Sequence, residues 1–184
     1  ERCCGSFEVI VVDDGSVDGT FNEALSHADG FRVRVIRNGY NMGKGWALKR
    51  GLLESRGEIA VFFDADLDIS PEVIPLYVRA AKFYDLVVAS KKHPESRYTA
   101  PGLRKFMSYV FNVLARLLAG VKVSDTQSGL KAARTDVMRR LFDSILVKRY
   151  AYDVELLTVA KLLGLKIVEL PINARVEKLI GVRE

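Results

Sequence analysis

Carboxylates gather at the ends of two predicted strands, and this pattern has the clearest chemical meaning in the sequence. One apolar run ends in Asp13 and Asp14, and a second is followed by Asp64, Asp66 and Asp68. In open α/β sheets, ligands bind beyond the carboxyl ends of the strands. Like charges collected there destabilise a fold unless a cation lies among them. A single strand-end Asp usually caps a turn, but five such carboxylates predict a ligand site that depends on a cation.

The second acidic group favours a hard divalent ion. Asp64, Asp66 and Asp68 alternate along the chain, so an extended backbone would place all three carboxylates on one face. Oxygen ligands select Mg²⁺ or Mn²⁺ over zinc, and the glycine and terminal glutamate of an EF-hand loop are missing. His27 and His93 have no second ligand four residues away, so no zinc site is expected. Few carboxylates leave open positions for a substrate phosphate, which predicts a metal–nucleotide site.

Alternating strands and helices must position these acids. Short runs rich in Val and Ile predict strands at Val9–Val12, Arg32–Ile36, Ile59–Phe63, Leu86–Ala89 and Lys166–Leu170, and a further strand at Gly129–Ala133. Longer patterns predict helices at Val17–His27, Lys44–Ser55, Pro71–Phe83, Gly102–Ala119, Thr135–Ile145 and Asp153–Leu163. The alternation predicts an α/β fold in which helices sandwich a mostly parallel sheet, in one domain over residues 1–184.

Composition excludes several classes of protein. The 184 residues are 49% hydrophobic and 28% charged, which is not typical of disordered or collagen-like chains. The two cysteines are neighbours, so no disulfide framework is expected and the compartment is interpreted as reducing. A net charge of +5 suits an anionic ligand or an acidic membrane surface. Aromatic residues are not interleaved with basic ones, so no nucleic-acid partner is expected.

Two polar segments are open to more than one interpretation. Asn41–Gly45 is either a tight turn before a helix or a phosphate-binding loop with Lys44 directed at a diphosphate. It is not a Walker sequence. Asp153 and Glu155 are interpreted as residues that cap and decorate the last helix.

Several motifs, in the same order along the chain, resemble glycosyltransferase family 2 on a GT-A fold. They are Val-Val-Asp13-Asp14-Gly-Ser-Val-Asp-Gly-Thr, Asn41-Met-Gly43-Lys44-Gly45-Trp-Ala-Leu and Asp64-Ala-Asp66. Three more segments resemble the branch that makes dolichyl- or polyprenyl-phosphate sugars: Ser96-Arg97-Tyr98, Arg104-Lys-Phe-Met-Ser108 and Asp125-Thr-Gln-Ser-Gly-Leu-Lys131. The last of these, followed by Tyr152-Asp153-Val-Glu155, is nearer to the glucosyltransferases. The resemblance covers roughly residues 7 to 172.

The resemblance implies roles for individual residues. Asp66 would bind the metal, and Asp68 would be a second ligand at a position where mannose synthases often carry Gln. The residues implied in binding the donor nucleotide are Asp13, Asp14, Gly15, Ser16, Lys44 and Asp64. The residues implied in holding the phosphates of donor and acceptor are Arg97, Arg104 and Ser108. Guanidinium groups suit that task because they match phosphate oxygens in pairs.

The expected activity is metal-dependent transfer of a hexose, with inversion, from a nucleotide-diphosphate sugar to dolichyl or polyprenyl phosphate. UDP-glucose is favoured over GDP-mannose, and the metal is Mg²⁺ or Mn²⁺. Asp66, Asp125, Arg97 and Arg104 are the catalytic candidates; Asp125 orients the acceptor or acts as a base. The alternatives are a polysaccharide or protein-linked acceptor, or a non-catalytic nucleotide-sugar-binding module. A dinucleotide oxidoreductase is not expected because the Gly-x-Gly-x-x-Gly turn is missing.

Two further expectations concern the membrane and the start of the chain. Apolar residues between Leu103 and Leu118 follow a helical period, which predicts either a core helix or a basic amphipathic helix at a membrane interface. A lipid acceptor favours contact with a membrane surface, and the cytoplasmic face is expected. The family's opening strand and helix, with Pro-Ala-Tyr-Asn-Glu or similar, are not found here, so an N-terminally truncated catalytic domain is expected.

Overall fold

The computed structural model describes residues 6–96, 125, 128–146 and 151–173. The strands in these residues are β1 Val9–Asp13, β2 Val33–Arg37, β3 Ile59–Phe62, β4 Leu86–Ser90, β5 Lys131–Arg134 and β6 Ile167–Pro171. The helices are α1 Thr20–Ser26, α2 Lys44–Glu54, α3 Ile74–Ala80, α4 Thr135–Ser144 and α5 Tyr152–Leu162, and a 3-10 turn at Pro71–Val73 precedes α3. Each predicted strand is confirmed to within about two residues. The helix predicted at Gly102–Ala119 lies outside the described residues.

The strands form one parallel pair and one four-stranded sheet. β1 and β2 are parallel, with Val9 opposite Val33 and Asp13 opposite Arg37. The second sheet has the order β3-β5-β4-β6. Strands β3, β4 and β6 share one direction, whereas β5 runs antiparallel to β3 and β4. The prediction of an α/β fold with a mostly parallel sheet is confirmed, and β5 is the exception among the described strands. A short apolar run in the sequence does not indicate the direction of a strand.

Helices cover both faces of the four-stranded sheet. All five residues of β4 are buried, so β4 is its most enclosed strand. One apolar cluster contains Leu86 and Val88 with side chains from α2, α4 and α5. The other contains Val87 and Ala89 with side chains from α3. Successive β4 residues thus point to opposite cores, as strand geometry requires.

Strand β1 joins the rest of the fold through α2. A Cβ on Gly51, in the middle of α2, would lie 3.1 Å from Cγ2 of Val12. The helix therefore approaches β1 closely at a residue without a side chain. On its other side α2 contacts α4. Helix α2 consequently links the parallel pair to the four-stranded sheet.

A carboxylate ties the amino ends of β1, β2 and β3 together. Glu8 accepts hydrogen bonds from the backbone N–H of Arg56 at 2.5 Å and of Gly57 at 3.2 Å, and its other oxygen lies 2.8 Å from Nη2 of Arg34. Partial burial opposes ionisation of Glu8, but the hydrogen bonds from Arg56, Arg34 and Gly57 outweigh it and lower the pKa of Glu8. The folded state therefore favours the ionised form.

This ionisation predicts a pH-dependent loss of stability. Because the pKa of Glu8 is lower in the folded state, its stabilisation is present above the unfolded value of 4.5 and is lost as the pH falls through the folded pKa. We expect Glu8→Gln to lower the free energy of unfolding by about 1–2 kcal/mol at pH 7 and by less at pH 3. Urea denaturation at both pH values measures this. Glu54→Gln is the control, since Glu54 lies 3.8 Å from Arg34 and is exposed. Equal losses for Glu8→Gln at both pH values would contradict the assignment.

None of the helices in the described ranges has the length and apolar character needed to cross a bilayer.

Candidate active site

The acidic segment after β3 lines a cleft at one edge of the four-stranded sheet. Because β5 runs in reverse, Lys131 at its start lies opposite Phe62 at the end of β3 and Val88 in the middle of β4. The residues before β5 therefore meet the residues that follow β3 and β4. The cleft is lined by Phe63, Asp64, Asp66, Asp68, Ile69, Lys91, Gly129 and Leu130. The three acids after β3 therefore line the same cleft.

Asp13 stabilises the turn that follows β1. Its buried carboxylate accepts hydrogen bonds from the backbone N–H of Ser16 at 3.3 and 3.4 Å and lies 3.2 Å from Nε of Arg37. Arg37 also donates to the carbonyl of Ser16 at 2.9 Å, and its guanidinium stacks 4.6 Å above the Phe21 ring. These contacts give Asp13 and Ser16 a structural role in the turn. Their role in donor binding stays a prediction.

Asp14 organises the loop between β2 and α2. One of its oxygens accepts from the side chain of Asn38 at 2.7 Å and from the N–H of Met42 at 3.0 Å, and the other accepts from the N–H of Gly43 at 2.7 Å. Asn38 is buried and also accepts from Arg50 at 2.8 Å. Sequence reasoning missed Asn38, which directly follows β2. Asp14 thereby fixes where α2 begins.

Gly15 permits close contact between the two loops. Its φ is +78°, and a Cβ there would lie 2.6 Å from the carbonyl carbon of Tyr40. No side chain fits at that distance, and a positive φ is unfavourable for other residues. Gly43, with φ +97°, precedes the first residue of α2. Asn41–Gly43 is thus irregular chain that leads into α2, and Lys44 and Gly45 are the first two residues of the helix. The phosphate-binding role of this segment stays a prediction.

Lys44 and Asp64 form an ion pair across the site. Nζ of Lys44, the first residue of α2, lies 2.7 Å from each carboxylate oxygen of Asp64. A Cβ on Gly129 would lie 2.1 Å from Oδ2 of Asp64, so only a glycine leaves room for this carboxylate. The pair brings the predicted residues Lys44 and Asp64 together. It also joins α2, β3 and the loop before β5.

The expectation that three acids lie on one face of an extended segment is wrong. Leu67 adopts φ +57°, the one positive φ of a non-glycine residue in the described chain, and Asp66 accepts from the N–H of Asp68 at 3.1 Å. The backbone therefore turns between the acids. Asp64 contacts Lys44, whereas Asp68 lies 3.1 Å from Lys91. A bulky residue with left-handed φ is uncommon and marks a strained site.

The acids fit a metal ion only if the substrate completes its coordination. No group of three or more His, Cys, Asp or Glu residues is arranged to hold a metal among the described residues. Magnesium usually keeps several waters and binds one or two carboxylates together with substrate phosphates. Asp66 and Asp68, at the mouth of the cleft, supply such a donor set. The residues therefore fit an ion that is shared with a diphosphate.

Lys91 is a site residue that sequence reasoning missed. It directly follows β4, and its Nζ lies 3.1 Å from Oδ2 of Asp68. Its backbone N–H donates to Asp125 at 3.1 Å, and the N–H of Asp125 donates to Glu169 at 3.2 Å. Asp125 is buried, 8% exposed. The structure thus places the catalytic candidate Asp125 beside a cationic residue of the cleft. A lysine immediately after a buried strand was the signal in the sequence.

Three predicted residues, Arg97, Arg104 and Ser108, lie outside the described residues. The chain is anchored up to the residue before Arg97. The hydroxyl of Ser96 donates to the carbonyl of Ser90 at 2.6 Å and accepts from the N–H of Ile172 at 3.2 Å. These bonds hold Ser96 at the ends of β4 and β6. The roles of the three residues stay predictions.

The interpretation of Asp153 as a capping residue is wrong. Asp153 is 5% exposed, and its carboxylate accepts from the equally buried ammonium of Lys131. Burial, the charge and hydrogen bond of Asp153, and the charge of Asp64 all raise the pKa of Tyr152 well above 10. Glu155 does accept from a loop N–H, that of Leu146 at 3.0 Å. A sequence pattern cannot show that an acid in the first turn of a helix meets a lysine 22 residues earlier.

Comparison with known proteins identifies relatives along nearly the whole chain. The chain is 35% identical over 183 residues to a dolichyl-phosphate beta-glucosyltransferase of Mus musculus, covering 93% of this chain and 56% of the relative. It is 32% identical to an undecaprenyl-phosphate mannosyltransferase of Micrococcus luteus, covering 95% of this chain and 74% of the relative. The chain therefore spans little more than half the length of the mouse protein.

Solved structures support the fold. Glucosyl-3-phosphoglycerate synthase of Mycobacterium tuberculosis, in complex with Mn²⁺, UDP and glucosyl-3-phosphoglycerate, superposes with a TM-score of 0.64 at 27% identity. That match covers 94% of this chain and 63% of the synthase. Mannosyl-3-phosphoglycerate synthase of Rubrobacter xylanophilus gives a TM-score of 0.62 at 26% identity, with 94% and 58% covered. The GT-A fold predicted from the motifs is confirmed.

The family assignment rests on a match to most of the chain. The pattern of the family described as Glycosyl transferase family 2 matches residues 2–142. This range includes Asp13, Lys44, Asp64 and Asp66, and the structure pairs Lys44 with Asp64. The chain belongs to glycosyl transferase family 2.

Proposed function

We propose that the protein transfers a hexose from a nucleotide-diphosphate sugar to dolichyl or polyprenyl phosphate. The observation that carries this proposal is the cleft in which Asp66, Asp68 and Lys91 lie beside the Lys44–Asp64 pair. Such a cleft combines carboxylates for a divalent ion with ammonium groups for phosphates. The similarity to dolichyl- and undecaprenyl-phosphate glycosyltransferases supports a lipid phosphate as the acceptor.

UDP-glucose is the donor that we propose. Relatives named as dolichyl-phosphate beta-glucosyltransferases from mouse and human are 35% and 34% identical to this chain. The mycobacterial synthase with a similar fold has been solved with UDP-glucose and Mn²⁺. GDP-mannose is the second candidate, because the Micrococcus luteus relative is named a mannosyltransferase.

The reaction we propose is a single displacement with inversion. An oxygen of the lipid phosphate attacks the anomeric carbon from the face opposite the nucleotide diphosphate. The bond from that carbon to the acceptor oxygen forms as the bond to the diphosphate breaks. A phosphate monoester is largely ionised near pH 7, so no side chain needs to remove a proton. Holding both substrates in line supplies much of the acceleration.

Charged side chains have distinct tasks in this proposal. When the donor binds, the ammonium of Lys44 contacts the donor phosphates and loses part of its contact with Asp64. Lys91 lines the same cleft and supplies a second ammonium group for phosphates. Asp66 and Asp68 would hold the Mg²⁺ or Mn²⁺. When bound, this ion neutralises the charge that develops on the departing diphosphate. We assign orientation of the acceptor phosphate to Asp125, through its contact with the Lys91 backbone.

The phosphate contacts of Arg97, Arg104 and Ser108 remain part of the proposal. Guanidinium groups bind phosphate oxygens in pairs, so the two arginines suit a reaction between a diphosphate and a phosphate monoester. A lipid acceptor places the reaction at a membrane surface, which we propose to be its cytoplasmic face. Cell fractionation with protease protection of the full-length protein tests this location. Protection of the catalytic domain in sealed microsomes would contradict it.

Side-by-side transfer assays test the donor and the metal. Full-length protein is incubated with UDP-glucose or GDP-mannose and a short-chain dolichyl phosphate, with Mg²⁺, with Mn²⁺ or with EDTA. We expect sugar lipid from UDP-glucose with either metal and none with EDTA. Product from GDP-mannose alone would overturn the donor assignment. Product in EDTA would overturn the metal assignment.

A further inference from the structure

A buried ion pair lies directly behind the cleft. Lys131, the first residue of β5, is 1% exposed, and Asp153, in the first turn of α5, is 5% exposed. Transfer of two charges from water into a core costs free energy that their attraction often fails to recover, and apolar replacements of similar volume are often as stable. The pair therefore calls for an explanation other than the stability of β5.

The ammonium of Lys131 has a second partner in the loop before β5. It donates to the carbonyl oxygen of Ser128 at 2.6 Å. The side chain of Ser128 is buried, but its hydroxyl has no hydrogen-bond partner among the described residues. At the other end of the loop, the carbonyl of Leu130 accepts a hydrogen bond from the N–H of Ala89 in β4 at 3.0 Å. Lys131 thus holds the loop at its beginning, and β4 holds it at its end.

The held loop lies against Asp64. Gly129 is between the two tied residues, and a Cβ on it would lie 2.1 Å from Oδ2 and 2.4 Å from Cγ of Asp64. The backbone of the loop is therefore one wall of the space that the carboxylate occupies. A small displacement of this wall would let the carboxylate change its orientation toward Lys44, which pairs with both of its oxygens at 2.7 Å.

Tyr152 extends the same cluster toward Asp64. The centroid of its ring lies 5.8 Å from Nζ of Lys131, and its hydroxyl interacts electrostatically with Asp153 and Asp64. Both carboxylates, together with burial, raise its pKa, so the hydroxyl stays protonated at neutral pH. Asp64 therefore contacts the loop on one side, and it shares an electrostatic interaction with Tyr152 that Asp153 of the buried pair also makes.

We propose that Lys131 and Asp153 are positioning residues that fix the Asp64 carboxylate for donor binding, acting through the Ser128–Leu130 loop. Asp153 holds the ammonium of Lys131, the ammonium holds the Ser128 carbonyl, and the loop confines Asp64. The consequence for the donor rests on the proposed function, whereas the positioning of the loop does not.

Hydrogen exchange tests the positioning without any ligand. The double variant Lys131→Met/Asp153→Val removes both charges and replaces the two residues with apolar side chains of similar volume. We expect the amide of Ala89, which donates to the loop, to exchange about tenfold faster in the full-length variant than in the parent. Asp153→Asn, which keeps the shape and leaves the buried Lys131 ammonium without its charged partner, is expected to change exchange in the same direction. It also serves if the double variant does not fold.

Thr135, which follows the opposite end of β5 from Lys131, provides a matched control. The hydroxyl of Thr135 donates to the carbonyl of Gly57 at 2.6 Å, far along β5 from Lys131. Thr135→Val removes one buried hydrogen bond and is expected to lower Tm without changing exchange at Ala89. Unchanged exchange at Ala89 in both the double variant and Asp153→Asn would overturn the proposal.

Calorimetric titration with UDP and Mg²⁺ gives the functional readout. We expect the double variant to bind UDP about tenfold more weakly than the parent, as is usual when residues that support a ligand site are removed. Thr135→Val should bind like the parent, even where its Tm is lower. Faster exchange with unchanged UDP affinity would overturn the link to Asp64. A parent that does not bind UDP would refute the proposed donor, and exchange alone would then decide the positioning.

Discussion

Asp66→Asn is expected to lower kcat by about three orders of magnitude in the full-length protein while its Tm stays close to that of the parent. Among the described residues, Asp66 accepts a hydrogen bond from the N–H of Asp68 at 3.1 Å, and an amide oxygen can accept the same bond. What the substitution removes is negative charge at the cleft, where we place the divalent ion. The loss should therefore fall on the chemical step rather than on folding.

Two comparisons make this result specific. Asp143→Asn is the control, because Asp143 is an exposed carboxylate of α4 whose partner Lys49 lies 3.5 Å away. It should leave kcat unchanged. Raising the Mn²⁺ concentration should partly restore Asp66→Asn if the remaining ligands bind the ion weakly. A folded Asp66→Asn protein with nearly normal transfer would contradict the role of this carboxylate in metal binding.

Gly129→Ala is expected to abolish donor binding almost completely. The new Cβ would lie 2.1 Å from Oδ2 of Asp64, which is far below any van der Waals contact. Either the carboxylate leaves Lys44 or the loop before β5 moves, and each change alters the cleft wall. We expect kcat/KM to fall at least about a hundredfold and the free energy of unfolding to fall by about 1–3 kcal/mol. Steady-state kinetics and urea denaturation measure the two effects.

Gly57→Ala separates this effect from the general cost of replacing a glycine. A Cβ on Gly57 would lie 3.6 Å from the nearest atom, the carbonyl oxygen of Ile59, which is an ordinary contact. Gly57 precedes the same strand, β3, but at the opposite edge of the sheet. We expect Gly57→Ala to change kcat/KM less than about twofold. Equal losses for the two alanine variants would contradict the close packing of Gly129 on Asp64.

The sequence was sufficient to predict the strands that position the candidate acids, because short apolar runs precede them. The apolar runs Val9–Val12 and Ile59–Phe63 predicted β1 and β3, and Asp14 and Asp64 lie just beyond these strands in the structure. Lys44 was a candidate because Asn41–Gly45 could be a phosphate-binding loop, and the structure pairs Lys44 with Asp64. Local periodicity therefore predicted the elements, and the resemblance to the family indicated which residues at their ends are candidates.

The geometry of Asp66–Asp68 could not be predicted in the same way. Alternation along a chain implies a common face only where the backbone is extended, and the left-handed φ of Leu67 interrupts it. Nothing in the residue type of leucine signals that conformation. The turn instead reflects the surrounding structure, which places Asp68 beside Lys91.

Contacts between residues that lie far apart in the sequence could not be predicted from local patterns either. Asn38 contacts Asp14, which lies 24 positions earlier in the chain, and Lys131 contacts Asp153, which lies 22 positions later. Each pairing depends on how the strands are ordered, and the reversed direction of β5 decides which residues meet at the cleft. Sequence reasoning found the motif that contains Lys131, but only the fold shows what its ammonium holds.

Identification of the acceptor tests the central claim most directly. Full-length protein is incubated with radiolabelled UDP-glucose, Mg²⁺ and one of three acceptors: dolichyl phosphate, dolichol without phosphate, or 3-phosphoglycerate. We predict that label enters the organic phase only with dolichyl phosphate, and that NMR of the product shows the anomeric configuration inverted relative to the donor. Label in phosphoglycerate, or free glucose with no labelled lipid, would contradict a lipid phosphate acceptor.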